Sequence, residues 1–267
     1  MRALILVFFL TAACKPARPE PQWPESPCRI DLFEGSRFTV CDPGDGALRL
    51  IAAGKDEAAK RSFAELMAEI PAEQVAFAMN AGMFDEDGRP IGLAVVDGRQ
   101  VHAINRRDGG GNFHLKPNGV FLVRRDGSAR VVTSEGYVPS SSVVFATQSG
   151  PMLVVGGAIH PKFDRDGQSR FIRNGVGIAP DGKPLFVISN EVVSFGKLAR
   201  FFRDGLNAKN ALYFDGSVSS LWDPAAGRQD AGVPLGPIIV ALKPAPDRKS
   251  TRLNSSHSTL SRMPSSA

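Results

Sequence analysis

Short apolar runs separated by glycine-containing turns set the rhythm of this chain. Residues 28–55 alternate as strands do, most clearly at Phe38-Thr-Val40 and Leu48-Arg-Leu-Ile-Ala52. The alternation breaks at Glu34-Gly-Ser36, midway between Cys28 and Cys41, which predicts a hairpin there. Phe63, Leu66, Met67 and Ile70 recur at helical spacing, so residues 62–70 are expected to form an amphipathic helix. Residues 75–79 are a continuous apolar run, the pattern of a buried central strand. Residues 91–96 and 99–104 flank Asp97-Gly98, the signature of a type I′ hairpin, and 119–123 and 129–133 flank Asp126-Gly127. Further strands are read at 143–148, 152–155, 175–178 and 185–189, the last two paired across Asp181-Gly182. Residues 195–205 form a second helix, with Phe195, Leu198, Ala199 and Phe202 on one face and Lys197, Arg200 and Arg203 opposite. Residues 212–214 are the last central strand, and 237–242 close the sheet.

Many strands, few helices and hairpin-length connections argue an α+β fold. The expected architecture is a single domain over 28–246, with a mixed, largely antiparallel sheet flanked by a few helices. A little over 200 residues suffice to bury a sizeable core. No repeat with a period of 20–50 residues is visible.

The two ends read differently. Residues 1–13 carry one Arg, an apolar run and then small residues, the layout of a secretory signal peptide and too short to span a bilayer. Thr11-Ala-Ala-Cys14 resembles a bacterial lipobox, which implies lipidation of Cys14; secretion without an anchor is the alternative. Residues 14–27 form a Pro-rich tether. On this reading the protein is exported to the periplasm and meets the membrane only through a lipid at Cys14. Residues 247–267 resemble the conceptual translation of a sequencing adapter, an artefact tail expected to be disordered.

That tail alters the charge argument. The chain has 32 Lys and Arg against 27 Asp and Glu, a formal +5. The tail contributes Arg248, Lys249, Arg252 and Arg262 against Asp247, a net +3, and Arg2 leaves with the leader. The mature domain is left near +1, with no basic stripe interleaved with aromatics, so nucleic acid is not an expected partner. Of the three cysteines, Cys28 and Cys41 flank the first hairpin, and an exported domain permits a disulfide there. Two free thiols are the alternative. No His/Cys set has metal-ligand spacing, so no metal or other cofactor is read, and any metal requirement is open.

The candidate chemistry lies where apolar runs end in polar side chains. Asn80 sits inside the first central run, Gln148 ends another, and Asp215 follows the last. The segment Ser169-Arg-Phe-Ile-Arg-Asn-Gly175 adds Arg173 and Asn174. A guanidinium matches phosphate or carboxylate, amides hold sugar hydroxyls, and a carboxylate can act as acid, base or nucleophile at an anomeric carbon. Gly82, Gly150, Gly175 and Gly216 stand beside these residues and leave room for close backbone approach, and Ser217 and Ser219 follow Asp215. Each has a structural alternative. Asn80 and Gln148 would satisfy strand-end backbone groups, Asp215-Gly216 would be a turn, and Arg173 would pair with Asp164 or Asp204. Phe113 and Trp222 are either sugar-stacking faces or core, and His114 is the histidine closest to the Gly-rich loop 105–112. The chain lacks a Gly-x-Ser-x-Gly elbow, and Gly109-Gly-Gly-Asn112 is followed by no Lys-Ser/Thr, which disfavours serine hydrolase and P-loop chemistry.

Asn80-Ala-Gly-Met-Phe-Asp85, Pro90-Ile-Gly-Leu93, Gly150-Pro-Met-Leu153, Arg173-Asn-Gly-Val-Gly177 and Asp215-Gly-Ser-Val-Ser219 occur here in one order. Together they resemble the phosphodiester glycosidase family, in its bacterial exported branch, over about residues 28–242. The resemblance implies hydrolysis between a sugar anomeric carbon and a phosphate, with a phospho-sugar or glycan as partner. Where the family commonly has Asp-Gly-Gly, this chain has Asp215-Gly216-Ser217. As a working assignment, Arg173 and amides near Gly216 hold the phosphodiester and Asp215 is nucleophile or general base. Asn80 and Gln148 orient the sugar, and Asp85 is a second catalytic carboxylate candidate. The competing expectation is a non-catalytic envelope lipoprotein that binds glycan or phosphoglycan in the same pocket.

Overall fold

Cys28 and Cys41 are register partners in the first hairpin of the computed structural model, and a disulfide joins them. The structure describes residues 25–244. The expected leader, Cys14, nearly all of the tether and the 247–267 tail lie outside the described residues. The hairpin consists of β1 (Cys28–Phe33) and β2 (Ser36–Cys41). Its turn holds Glu34 and Gly35 at φ 45° and 74°, the type I′ geometry whose twist matches that of the strands. β3 (Leu48–Ile51) follows. The first predicted helix is shorter than its pattern, α1 (Phe63–Met67), capped where the Ser62 hydroxyl accepts the Glu65 amide at 3.2 Å. Phe63, Leu66 and Ile70 are buried as the spacing requires.

β4 (Val75–Asn80) is buried along its whole length. β5 (Ala94–Val96) and β6 (Arg99–His102) meet at Asp97 and Gly98, both at positive φ. β7 (Gly119–Arg124), β8 (Ala129–Thr133) and β9 (Val143–Ser149) continue the chain. Next come β10 (Met152–Val155), β11 (Ala158–Ile159), β12 (Asn174–Ile178) and β13 (Pro184–Ser189). α2 (Phe195–Arg200) runs on into a wider π-helical turn, Phe201–Gly205. The last strands are β14 (Ala211–Tyr213), β15 (Leu221–Asp223), β16 (Arg228–Gln229) and β17 (Ile238–Leu242).

These strands form three sheets, ordered β1-β2-β13-β12-β14-β10-β11, β16-β15-β4-β17-β3 and β6-β5-β9-β7-β8. Every pairing among the described strands is antiparallel. The single mixed sheet expected from the sequence is therefore corrected to three antiparallel ones, in a domain dominated by strands with few helices. Tight hairpins explain much of this, since they join only antiparallel neighbours whereas parallel strands need long crossovers. A second correction concerns β17, which does not close a sheet: it lies between β4 and β3.

The inner faces of the sheets share one apolar core, where Phe77 and Phe121 each meet Phe186, at 5.4 and 5.6 Å between ring centroids. The outer face of the seven-stranded sheet is covered by α2 and its extension, with Phe38 stacked on Phe201. Arg200, predicted to face solvent, is buried instead. The β1–β2 turn folds over the helix and gives it the Glu34 carboxylate, which accepts from Arg200 Nε at 2.9 Å and from Nη2 at 2.6 Å. Among the described residues no helix is long and apolar enough to cross a membrane.

Candidate active site

Residues 214–220 carry the chain from β14 in the seven-stranded sheet to β15 in the sheet built on β4, and Asn80 fastens that crossing. The Asn80 Nδ2 donates to the Asp215 carbonyl at 2.8 Å, and its Oδ1 accepts from the Ser220 amide at 2.9 Å. The same Oδ1 accepts from Asn174 Nδ2 at 2.8 Å, and the Asp215 amide donates to the Ala81 carbonyl at 3.1 Å. Asn174 Oδ1 in turn accepts from the Ser219 hydroxyl at 3.1 Å. Asn80, Asn174 and the 215–219 loop, far apart in sequence, thus form one polar junction in which Asn80 and Asn174 are buried. Such a junction is stable because nearly every donor and acceptor finds a partner.

On the helix side of the same sheet, Arg173 is only 1% exposed. Its Nε donates to the Val193 carbonyl at 2.9 Å, Nη1 to the Tyr213 phenol at 3.0 Å, and Nη2 to the carbonyl and hydroxyl of Ser169 at 3.0 and 3.1 Å. The guanidinium lies 3.6 Å from the ring centroid of Phe195 and 5.4 Å from that of Phe171. Among the described residues no carboxylate pairs with it, and Asp204, one expected structural partner, pairs with Arg203. Burial pushes the Arg173 pKa down, opposed by Tyr213. A desolvated guanidinium without a counter-ion is costly, and an incoming anion would offset that cost.

Asp215 follows β14, two residues after Tyr213. It caps a short 3-10 turn, Gly216–Val218, with Oδ1 accepting from the Ser217 amide at 3.1 Å. Its pKa is raised above the usual 3.8, chiefly because burial disfavours the charge, and the Ser217 hydrogen bonds only partly oppose this. Tyr213 links the two charged groups: its phenol accepts from Arg173 and lies against the Gly216 amide. A Cβ on residue 216 would overlap that phenol, so the contact requires glycine.

Other expected residues lie elsewhere or are already occupied. Gln148 is buried and spends its side chain on four partners, accepting from the Leu93 and Asn105 amides and donating to the Asn105 carbonyl and the Ser134 hydroxyl. Asp85 is exposed and closes its own turn by accepting from the Arg89 amide at 2.9 Å. The space a Cβ would take at Gly82, Gly150 and Gly175 is filled by protein atoms, for example the Gln148 and Leu212 carbonyls. The Ser217 side chain is exposed beside Asp215. Phe113 and Trp222 are buried, Trp222 against Phe63. His114 contacts the Arg107 carbonyl. Tyr213, Ser169, Phe171 and Phe195, which surround the Arg173 guanidinium, are not among the residues expected at the site. Only Tyr213 carried a usable signal, as one of two tyrosines in the chain and two residues before Asp215. Among the described residues no group of three or more His, Cys, Asp or Glu is placed to hold a metal ion.

Protein YigE of Escherichia coli (strain K12), an uncharacterized protein, is 39% identical over 158 residues, covering 59% of this chain and 62% of YigE. The chain thus matches less than two thirds of that relative's length. The zebrafish N-acetylglucosamine-1-phosphodiester alpha-N-acetylglucosaminidase catalytic domain, auto-inhibited by its pro-peptide, superposes with a TM-score of 0.56 at 15% identity over 82% of each chain. A hypothetical protein from Synechocystis gives 0.52 at 15% identity, over 80% of this chain and 61% of that one. These two structures establish likeness of fold. Residues 73–231, more than half of the chain and spanning Asn80, Arg173 and Asp215, match the family described as phosphodiester glycosidase. The chain belongs to the phosphodiester glycosidase family.

Proposed function

We propose that this protein hydrolyses sugar-1-phosphodiesters, breaking the bond between the anomeric carbon and the phosphate oxygen. The observation that carries this reading is the buried Arg173 guanidinium, without a carboxylate partner among the described residues and bonded to the Tyr213 phenol, which also meets the Gly216 amide next to Asp215. An anionic phosphodiester supplies the missing counter-charge, and the remaining Nη1 hydrogen of Arg173 is a donor for it. As the C–O bond breaks, negative charge grows on the departing phosphate, where Arg173 stabilises it. Phosphate leaves without strong protonation, so one carboxylate can serve where an ordinary glycoside needs two. Asp215, made more basic by burial, is the nucleophile at the anomeric carbon or the base that activates water. Asn80 acts by holding the Asp215 carbonyl, Asn174 by bracing Asn80 and Ser219, and Ser217 and Ser219 line the loop beside Asp215.

Asp85 belongs to this proposal only if its exposed turn moves toward Asp215, and Gln148 acts by bracing the loop that contains Asn105. Export is part of the same proposal, supported by the Cys28–Cys41 disulfide, a bond that persists in oxidising compartments, while lipidation at Cys14 rests on the Thr11–Cys14 motif of the sequence. The second reading, a glycan-binding lipoprotein without catalysis, is favoured by one observation: the Asp215 carboxylate caps the Gly216–Val218 turn, with Oδ1 accepting from the Ser217 amide.

A panel of sugar-1-phosphodiesters hydrolysed in 18O water separates the readings. Label in the released sugar, lost in Asp215→Asn and Arg173→Ala, supports the proposal. Label in phosphate shows attack at phosphorus and overturns it, and binding without turnover supports the second reading.

A further inference from the structure

We propose that β1 is a self-pairing edge, on which a second copy of this chain docks its own β1 antiparallel and joins the two seven-stranded sheets into one. β1 stands at the end of its sheet, with β2 as its neighbour among the described strands. The alternation of an antiparallel ladder fixes which of its backbone groups face outward. The Asp42 amide donates to the Pro27 carbonyl at 3.1 Å, and Cys28 and Cys41 stand 4.0 Å apart at Cα, the close spacing of a pair that exchanges no hydrogen bond. Cys28, Ile30 and Leu32 therefore turn their amides and carbonyls away from β2. The Ser26 hydroxyl serves both groups of Cys28, donating at 3.2 Å and accepting at 3.0 Å. Among the described residues nothing outside the hairpin bonds to those of Ile30 and Leu32. The side chains of the same two residues are 65% and 74% exposed, on the face opposite Phe33, which packs on Phe201. An open edge with exposed apolar residues is a template for another strand.

Charge selects the occupant and its register. Arg29 and Asp31 form a two-pronged pair within the strand, 3.1 Å on each prong. When Ile30 lies opposite the partner's Ile30, Arg29 faces the partner's Asp31 and Asp31 faces the partner's Arg29. Both pairs fall at the close, non-hydrogen-bonded positions where side chains interact most. The central pair exchanges two backbone hydrogen bonds, and the partner's Leu32 replaces Ser26 at the outward groups of Cys28. Sliding by two residues sets Asp31 against the partner's Asp31, or Arg29 against the partner's Arg29, and like charges directly opposite are destabilising. A slip of one residue pairs an outward amide with one that faces β2. The remaining register is symmetric about a two-fold axis at Ile30, so the dimer closes and does not grow. Cys28 and Ile30 also line the cleft bordered by Ser189 and Ser219, so the partner's Ile30 and Leu32 extend its rim.

Sedimentation velocity on the full chain, with Cys14→Ser to exclude acylation, tests the pairing, and circular dichroism melts confirm that each variant is folded. The wild type is expected to dimerise at tens of micromolar. Arg29→Asp and Asp31→Arg each set two like-charge pairs into the register and should weaken the dimer by at least about tenfold. Mixing the two variants restores both opposite-charge pairs, so the mixture should dimerise as the wild type does. Ile30→Lys, which sets two lysines together at the two-fold axis, should dissociate the dimer even where a charge variant fails to fold. A wild type that stays monomeric overturns the proposal. Protection of the Ile30 and Leu32 amides from hydrogen exchange in that monomer would assign the edge to the chain's own preceding segment instead. A dimer untouched by the substitutions, or one that mixing does not restore, overturns it as well.

Discussion

The Nη1 of Arg173 donates to the phenol of Tyr213 at 3.0 Å, and that phenol lies against the Gly216 amide, so one oxygen sets the position of a cation and of a loop. Tyr213→Phe removes the acceptor while the ring keeps its place against Phe195. Leaving a buried guanidinium hydrogen unpaired is expected to cost about 1–3 kcal/mol of stability. Because the guanidinium would bind the phosphate in both ground and transition states, the expected kinetic signature is a raised KM with a smaller change in kcat. Urea denaturation and steady-state kinetics on the best diester check both. A Tyr213→Phe enzyme with unchanged KM would remove Tyr213 from the positioning of Arg173.

Asn80 makes the opposite kind of prediction. Asn80→Ala strips partners from the Asn174 amide, the Ser220 amide and the Asp215 carbonyl together. Unsatisfied buried groups cost about 1–3 kcal/mol each before relaxation, so a loss of at least 2 kcal/mol is expected by chemical denaturation. Activity should fall through misplacement of Asp215, with kcat reduced more than KM changes.

Gln148 carries no such link to Asp215. Gln148→Met retains the volume but abandons the amides of Leu93 and Asn105. The expected outcome is faster hydrogen exchange across residues 93–105 and lower stability, with KM for small diesters changed by less than about threefold. A large KM effect with normal exchange would return Gln148 to the substrate pocket.

The elements were largely legible because each is written locally. Asp97-Gly98 and Glu34-Gly35 needed only their own positive φ values, and the 75–79 run needed only its lack of polar residues. Sheet membership was not legible. Nothing local in residues 237–242 says that β17 pairs with both β4 and β3, since that choice depends on the whole arrangement of sheets. Burial of Arg200 was hidden for a related reason, because its carboxylate comes from Glu34, 166 positions away. The site was half legible. Polar residues interrupting apolar runs pointed to Asn80, Arg173 and Asp215, but the same signal marked Gln148, whose partners are all structural. An amide that braces a loop and an amide that serves a site look alike until the partners are known.

Asp215 itself yields a prediction in which stability and activity move in opposite directions. Burial raises its pKa, so the folded state holds the proton more tightly than the unfolded chain does. A raised folded pKa contributes stability that is fully present below the unfolded value near 3.8 and is lost as pH rises through the folded value. At neutral pH the carboxylate is therefore a net burden on the fold. Asp215→Asn keeps an oxygen to accept the Ser217 amide and removes the charge. The variant should melt higher than wild type at pH 7, and the two should converge when both are measured below about pH 3.8. Its turnover should fall by at least about 100-fold if Asp215 is nucleophile or base. The wild-type rate should lose activity on the acid side at a pH above the ordinary aspartate range, because the working form is the carboxylate. Paired melting curves at the two pH values and a kcat/KM profile on one diester check the set. A variant that melts lower at pH 7 and keeps its turnover would show that Asp215 is a turn residue and that the carboxylate of this reaction lies elsewhere.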